Sequence, residues 1–160
     1  MNRAAHEAEP GQRSMYTRIL VPLENSPSDQ AILAHVRKLA RLCDASIIVI
    51  HVADGWAARN IRQLDLRESE EMRADRDYLT GVAAELRAEG LDVDAILASG
   101  DPAREIADAA QREGCDLIAL STPGPPFFSA LIYGSVADGV RHKSDVPVLM
   151  VRAKRTDAAK

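Results

Sequence analysis

Aromatic side chains are scarce in this chain, at 4% of its 160 residues. Its core must therefore be packed mainly by aliphatic groups. Cysteine is scarcer still. Cys43 and Cys115 stand far apart without Cys-x-x-Cys spacing, so there is neither a disulfide framework nor a zinc signature. Both read as small buried apolar residues, and a cytoplasmic location suits them. No apolar run approaches the ~20 residues of a membrane span, and the N-terminus lacks the apolar centre of a secretory signal. Membrane insertion is therefore not expected. Positive charge is not in excess: the formal net charge is −4, which argues against a broad nucleic-acid surface. There is no internal repeat and no low-complexity segment. The four histidines, His6, His35, His51 and His142, are scattered, and no nucleophile-with-base pattern accompanies them. A turnover enzyme is not expected, although weak ATP hydrolysis by a positioned water stays open.

Against these absences stand 46% apolar and 28% charged residues, the balance of a globular domain with a substantial core. Residues 1–14 are polar and contain Pro10 and Gly11. They read as a flexible leader, 15–152 as the folded domain, and 153–160 as a flexible tail. Within the domain, strand and helix patterns alternate. Arg18 to Leu23 reads as a strand. Ser26-Pro27-Ser28-Asp29 reads as a helix start, with Ser26 as N-cap, Pro27 at the first helical position and Asp29 as a capping-box acid. Ile32, Val36, Leu39 and Ala40 mark one helical face. Ser46 to Val52 is a β-branched strand. A loop with Trp56 follows, then a long charged helix stopped by Gly90. Leu91 to Leu97 alternates, as a strand covered mainly on one side would. Gly100-Asp101-Pro102 opens the next helix, which ends at Gly114. Asp116 to Leu120 is the fourth strand, Ser135 to Lys143 the fourth helix, and Val146 to Val151 the fifth strand. The series predicts a doubly wound α/β fold: five parallel strands with helices on both faces, in the order 3-2-1-4-5 if the first strand lies centrally.

In that topology a ligand lies beyond the carboxyl ends of strands 1 and 4, where the winding reverses. The loop Glu24-Asn25-Ser26 follows strand 1, and the stretch Ser121 to Gly134 follows strand 4. Gly124 and Gly134 would let backbone N–H groups approach a phosphate, and the N–H groups of Ser135 and Val136 would point at it. The Ser135 hydroxyl could donate, and Glu24 could hold ribose hydroxyls or a magnesium ion bound to phosphate. Pro22 and Val52, at strand ends, could form an apolar slot for a base. Other readings need no ligand: Gly124 serves its Pro-rich turn, and Ser135 with Asp138 forms a capping box.

These motifs resemble the universal stress protein family. The first strand and its loop, Ile19 to Ser26, match the family's opening. Gly100-Asp101-Pro102 with Ile106 matches its Gly-x-Pro helix start. Asp116-Leu117-Ile118, then Ser121-x2-Gly124-x9-Gly134-Ser135, then Pro147-Val148-Leu149 match its closing part. The resemblance spans about Tyr16 to Arg152. It implies an adenine nucleotide alpha hydrolase-like fold, a homodimer and, in one branch, ATP or another adenine nucleotide between strands 1 and 4. The implied nucleotide contacts are Pro22, Leu23, Glu24, Asn25, Ser26, Val52, Leu120, Ser121, Gly124, Gly134, Ser135, Val136 and Ala137. The family's first glycine is Ser121 here, its aspartate is Glu24, and the glycine after that acid is Asn25, a residue that tolerates positive φ. No Lys or Arg lies between Ser121 and Gly134. The expected outcome is adenine-nucleotide binding, with or without Mg2+, at reduced affinity or with altered ligand choice. The alternatives are a nucleotide-free dimer acting on a protein partner through the loop Pro125 to Phe128, or a module regulating a transporter or kinase. In either case the apolar strand Val146 to Val151 is expected to pair across a two-fold axis.

Overall fold

The computed structural model describes residues 14–54, 70–122 and 130–153. Its elements in chain order are β1 (Arg18–Pro22), α1 (Asp29–Cys43), β2 (Ser46–Asp54), α2 (Glu70–Ala88), β3 (Val93–Gly100), α3 (Pro102–Arg112), β4 (Leu117–Thr122), α4 (Ala130–Lys143) and β5 (Val148–Arg152). The strands form one five-stranded sheet in the order β3-β2-β1-β4-β5, and every neighbouring pair is parallel.

Alternation along the strands divides the core in two. Ile19 and Val21 of β1, Ile47 and Val49 of β2, and Leu117 and Ala119 of β4 pack with Ile32 and Val36 of α1 and with Leu79 and Leu86 of α2. Leu20, Ile48, Ile50, Ile118 and Leu120 point the other way, to Ile106 and Ala110 of α3 and Val140 of α4. The inner strands are thus covered on both faces, which is why Ile47 to Ile50 is uninterruptedly apolar. Each such fully buried side chain contributes roughly 1.5–3 kcal/mol relative to exposure.

Several element boundaries differ from the sequence expectation, among them β5, which starts at Val148 rather than Val146; two of the differences have a visible cause. Helix α1 begins at Asp29, and its N-cap Ser28 makes no side-chain cap hydrogen bond. Half of the expected capping box is nonetheless present, because Asp29 Oδ2 accepts the Ser26 N–H at 3.2 Å; the Ser26 hydroxyl is buried without a partner. Strand β3 starts at Val93 rather than Leu91. The Leu91 N–H is used to close α2 on the Leu86 carbonyl at 3.2 Å, a reversal that passes through Gly90 at φ 87°. Helix α4 starts at Ala130 rather than Ser135. The start of α3 is as expected: Asp101 caps it by accepting the Arg104 N–H at 2.9 Å, with Pro102 in the first turn.

At the amino ends of the strands, Asp116 ties β4 to β1. Its carboxylate accepts the Thr17 N–H at 2.8 Å, the Thr17 hydroxyl at 2.7 Å and the Arg18 N–H at 3.0 Å. Burial alone would raise its pKa, but these hydrogen bonds win and hold the carboxyl below its ordinary value. At the opposite side of the sheet, β5 is an edge, and Met150 on it is 58% exposed.

Candidate functional site

A cavity of about 170 Å³ opens at the carboxyl ends of β1, β2 and β4. Pro22, Leu23 and Glu24 come from β1 and its loop. Ile50, His51 and Val52 come from β2, and Leu120 and Ser121 from β4. Pro102 and Ile106 of α3 and Val136 of α4 complete the lining. Strand parity explains the apolar walls: Ile50, Val52 and Leu120 belong to the face that packs on α3 and α4. The site is therefore a slot at the reversal of the sheet's winding, between β1 and β4, the position favoured for ligands in this architecture.

The loop after β1 is held at every residue. The Leu23 N–H donates to the Ile50 carbonyl at 2.8 Å, and the Leu23 carbonyl faces His51 Nδ1 at 2.8 Å. The Glu24 N–H donates to both oxygens of Asp29, at 3.1 and 3.2 Å. Asn25 takes the left-handed conformation at φ 59°, one that asparagine tolerates better than most residues, and its amide reaches Asp75 Oδ1 at 3.4 Å. Asp29, fully buried, also accepts the Tyr78 hydroxyl at 2.7 Å. Burial first, then Asp29's hydrogen bond and charge, push the Tyr78 phenol well above its ordinary value, so it remains a donor. Asp75 in turn pairs with His51, Oδ2 to Nε2 at 3.1 Å.

Of the residues expected at the site, Pro22, Leu23, Glu24, Val52, Leu120, Ser121 and Val136 line the slot together. Asn25 and Ser26 lie in the adjoining loop. Ala137 is half-buried against the α3–α4 face. Gly134 and Ser135 lie inside α4. In a helix that starts at Ala130, the N–H groups left without helical acceptors belong to residues 130–133, so those of Ser135 and Val136 are not the free ones at the helix start. Gly124, the Pro125 to Phe128 loop and Trp56 lie outside the described residues. Among the described residues, no group of three or more His, Cys, Asp or Glu could hold a metal ion, and no helix is long and apolar enough to cross a membrane.

The family pattern of the universal stress proteins matches residues 15–152. The chain belongs to the universal stress protein family. It is similar to universal stress protein MJ0577 of Methanocaldococcus jannaschii, 28% identical over 89% of this chain and 98% of that one. The solved structure of MJ0577 superposes with a TM-score of 0.72, covering 89% and 99% of the two chains. A universal stress protein of Thermus aquaticus is 29% identical over 86% of this chain and all of its own length. A universal stress protein of Archaeoglobus fulgidus, solved in complex with dAMP, has a TM-score of 0.64 at 22% identity over 85% and 98% of the chains, a likeness of fold alone.

Within this universal stress protein, Ile50, His51, Pro102 and Ile106 join the slot without having been expected there. Two of them carried a signal. Ile50 has the same parity as Val52, and Pro102 stands in the Gly-Asp-Pro turn that also delivers Ile106 one helical turn on. His51 carried none, because its partners come from the β1 loop and from α2.

Proposed function

We propose that this slot binds the base of an adenine nucleotide and that the protein works as a nucleotide-responsive regulator in the stress response, by binding rather than turnover. The observation that carries the reading is the slot itself: apolar walls from Ile50, Val52, Ile106 and Leu120, with the acid Glu24 in its lining. Such walls suit a flat, weakly polar base, and a carboxylate suits the paired hydroxyls of a ribose. The A. fulgidus relative solved with dAMP and a further universal stress protein solved with cAMP make adenine the base to test first. The phosphates would run toward the start of α4, where an anion is favoured by unpaired N–H groups, and a magnesium ion could sit between Glu24 and phosphate. Among the described residues the lining contains no Lys or Arg, which fits a modest affinity. Two copies would pair through β5, whose exposed Met150 would then be covered.

Nucleotide released by denaturing protein purified without added ligand tests this, read by mass spectrometry, together with thermal shifts by ATP and GTP with and without magnesium. An adenine nucleotide in the released fraction and a larger shift with ATP than with GTP are expected. Equal shifts with both, or sustained ADP release on incubation with ATP and magnesium, would overturn the reading of an adenine-selective, non-enzymatic site.

A further inference from the structure

We propose that His51 and Tyr78 are positioning residues that hold the β1–α1 loop, residues 23–26, in the shape that meets the sugar of the bound nucleoside. The proposal rests on the nucleotide reading above and assigns roles to two side chains whose polar atoms do not face the slot.

The loop does not hold this shape by itself. Asn25 occupies a left-handed conformation that L-residues other than glycine adopt at a cost, and α1 starts without a side-chain cap from Ser28. The restraint comes from elsewhere. The Leu23 carbonyl is held by His51 from β2. The Glu24 and Ser26 N–H groups end on Asp29, whose carboxylate is itself oriented by the Tyr78 hydroxyl from α2. The Asn25 amide ends on Asp75, which also takes His51 Nε2.

His51 lines the slot, yet both of its ring nitrogens face protein oxygens, the Leu23 carbonyl and the Asp75 carboxylate. An imidazole has only these two polar atoms, and strand alternation turns the His51 side chain to the face opposite Ile50 and Val52, toward α2, so neither nitrogen serves a ligand in the slot. Its polar contribution is to the loop. The same holds for Tyr78, whose hydroxyl is spent on a buried carboxylate. The side chain placed by these contacts is Glu24, the acid assigned to the ribose. The base, by contrast, meets Ile50, Val52 and Leu120, which the sheet fixes independently. Loosening the loop must therefore weaken recognition of the sugar and spare recognition of the base.

The test compares adenine, adenosine and ATP as titrants against wild type, Tyr78→Phe and His51→Phe. Each variant should bind adenosine and ATP about tenfold more weakly, the effect of one lost hydrogen bond, and adenine within about twofold of wild type. A purely structural role would lower all three affinities together, and that result overturns the proposal. So does wild-type affinity for adenosine in both variants. If wild type binds none of the three, the nucleotide reading fails and this proposal falls with it. Tyr78→Phe removes a single hydroxyl and decides the matter should His51→Phe not fold.

Discussion

Gly81 and Gly139 both sit inside helices of this protein, and the same substitution should move its stability in opposite directions at the two. Gly81 is in the middle of α2, exposed, with nothing within 4 Å of where a Cβ would stand. Alanine there gains helix propensity worth about 1 kcal/mol and loses nothing. Gly139 is in α4, and a Cβ there would lie 2.6 Å from the Cβ of Ala103 on α3. Carbon atoms pack comfortably at about 3.5–4.0 Å, so the two helices would have to part by about 1 Å. Overpacking of this kind costs roughly 1–3 kcal/mol. The propensity gain offsets about 1 kcal/mol of it. Gly81→Ala should therefore stabilise by about 0.5–1 kcal/mol and Gly139→Ala destabilise by up to about 2 kcal/mol. Urea unfolding followed by circular dichroism reads both, with the slope of the transition unchanged. Because α3 also supplies Pro102 and Ile106 to the slot, Gly139→Ala should weaken nucleotide binding as well. If Gly139→Ala proves as stable as Gly81→Ala, the close α3–α4 approach is wrong, and so is the slot's wall.

Asp29→Ala leaves the Glu24 and Ser26 N–H groups and the part-buried Tyr78 hydroxyl without this acceptor and should cost about 2–4 kcal/mol in urea unfolding; a loss under about 0.5 kcal/mol would contradict the role of the buried Asp29 as a hub. Asp116→Asn should destabilise at neutral pH by about 1–3 kcal/mol. Because the Asp116 carboxyl titrates below its ordinary value when folded, its contribution is complete above the unfolded pKa of about 4 and is lost as pH falls through the lower folded value. The gap between wild type and variant should therefore be constant from neutral pH down to about pH 5 and close in stronger acid; a gap that widens in acid would contradict the assignment. Cys115 is buried, and that burial, opposed in part by Arg18, pushes its thiol up to about 11. Its alkylation by iodoacetamide at pH 8 should be far slower than that of free cysteine unless denaturant is added. Met150→Lys on β5 should yield monomer by light scattering if the proposed dimer pairs through that edge, and an unchanged dimer would place the interface elsewhere.

What the sequence made legible follows from what its local patterns encode. Ile47 to Ile50 announces a strand covered on both faces, and the alternation of such runs with capped helices implies the parallel sheet, while its order followed only with the first strand placed centrally. Glycine and cap chemistry located Gly90 and Asp101 because those signals act within a few residues. The start of α4 was misplaced because Gly134 and Ser135 look like a helix beginning, although the sequence also places Ser129, a preferred N-cap residue type, directly before Ala130. The Asp29 capping contact was half legible: its bond to the Ser26 N–H follows from spacing, while those to the Glu24 N–H and the Tyr78 hydroxyl depend on how the loop and α2 are placed. His51 with Asp75 was not legible at all. These residues meet only because the β2–α2 crossover lays α2 along the same face of the sheet, and no local pattern records where that helix comes to rest.

The central claim is that the slot between β1 and β4 takes an adenine nucleotide. Calorimetric titration of ATP into wild type and into Val52→Trp, which fills the slot with an indole, tests it most directly. The account predicts saturable binding to wild type that is weakened at least about tenfold, or about 1.4 kcal/mol, in Val52→Trp. No saturable binding to wild type up to about 1 mM ATP, or equal affinity in the filled variant, would contradict it.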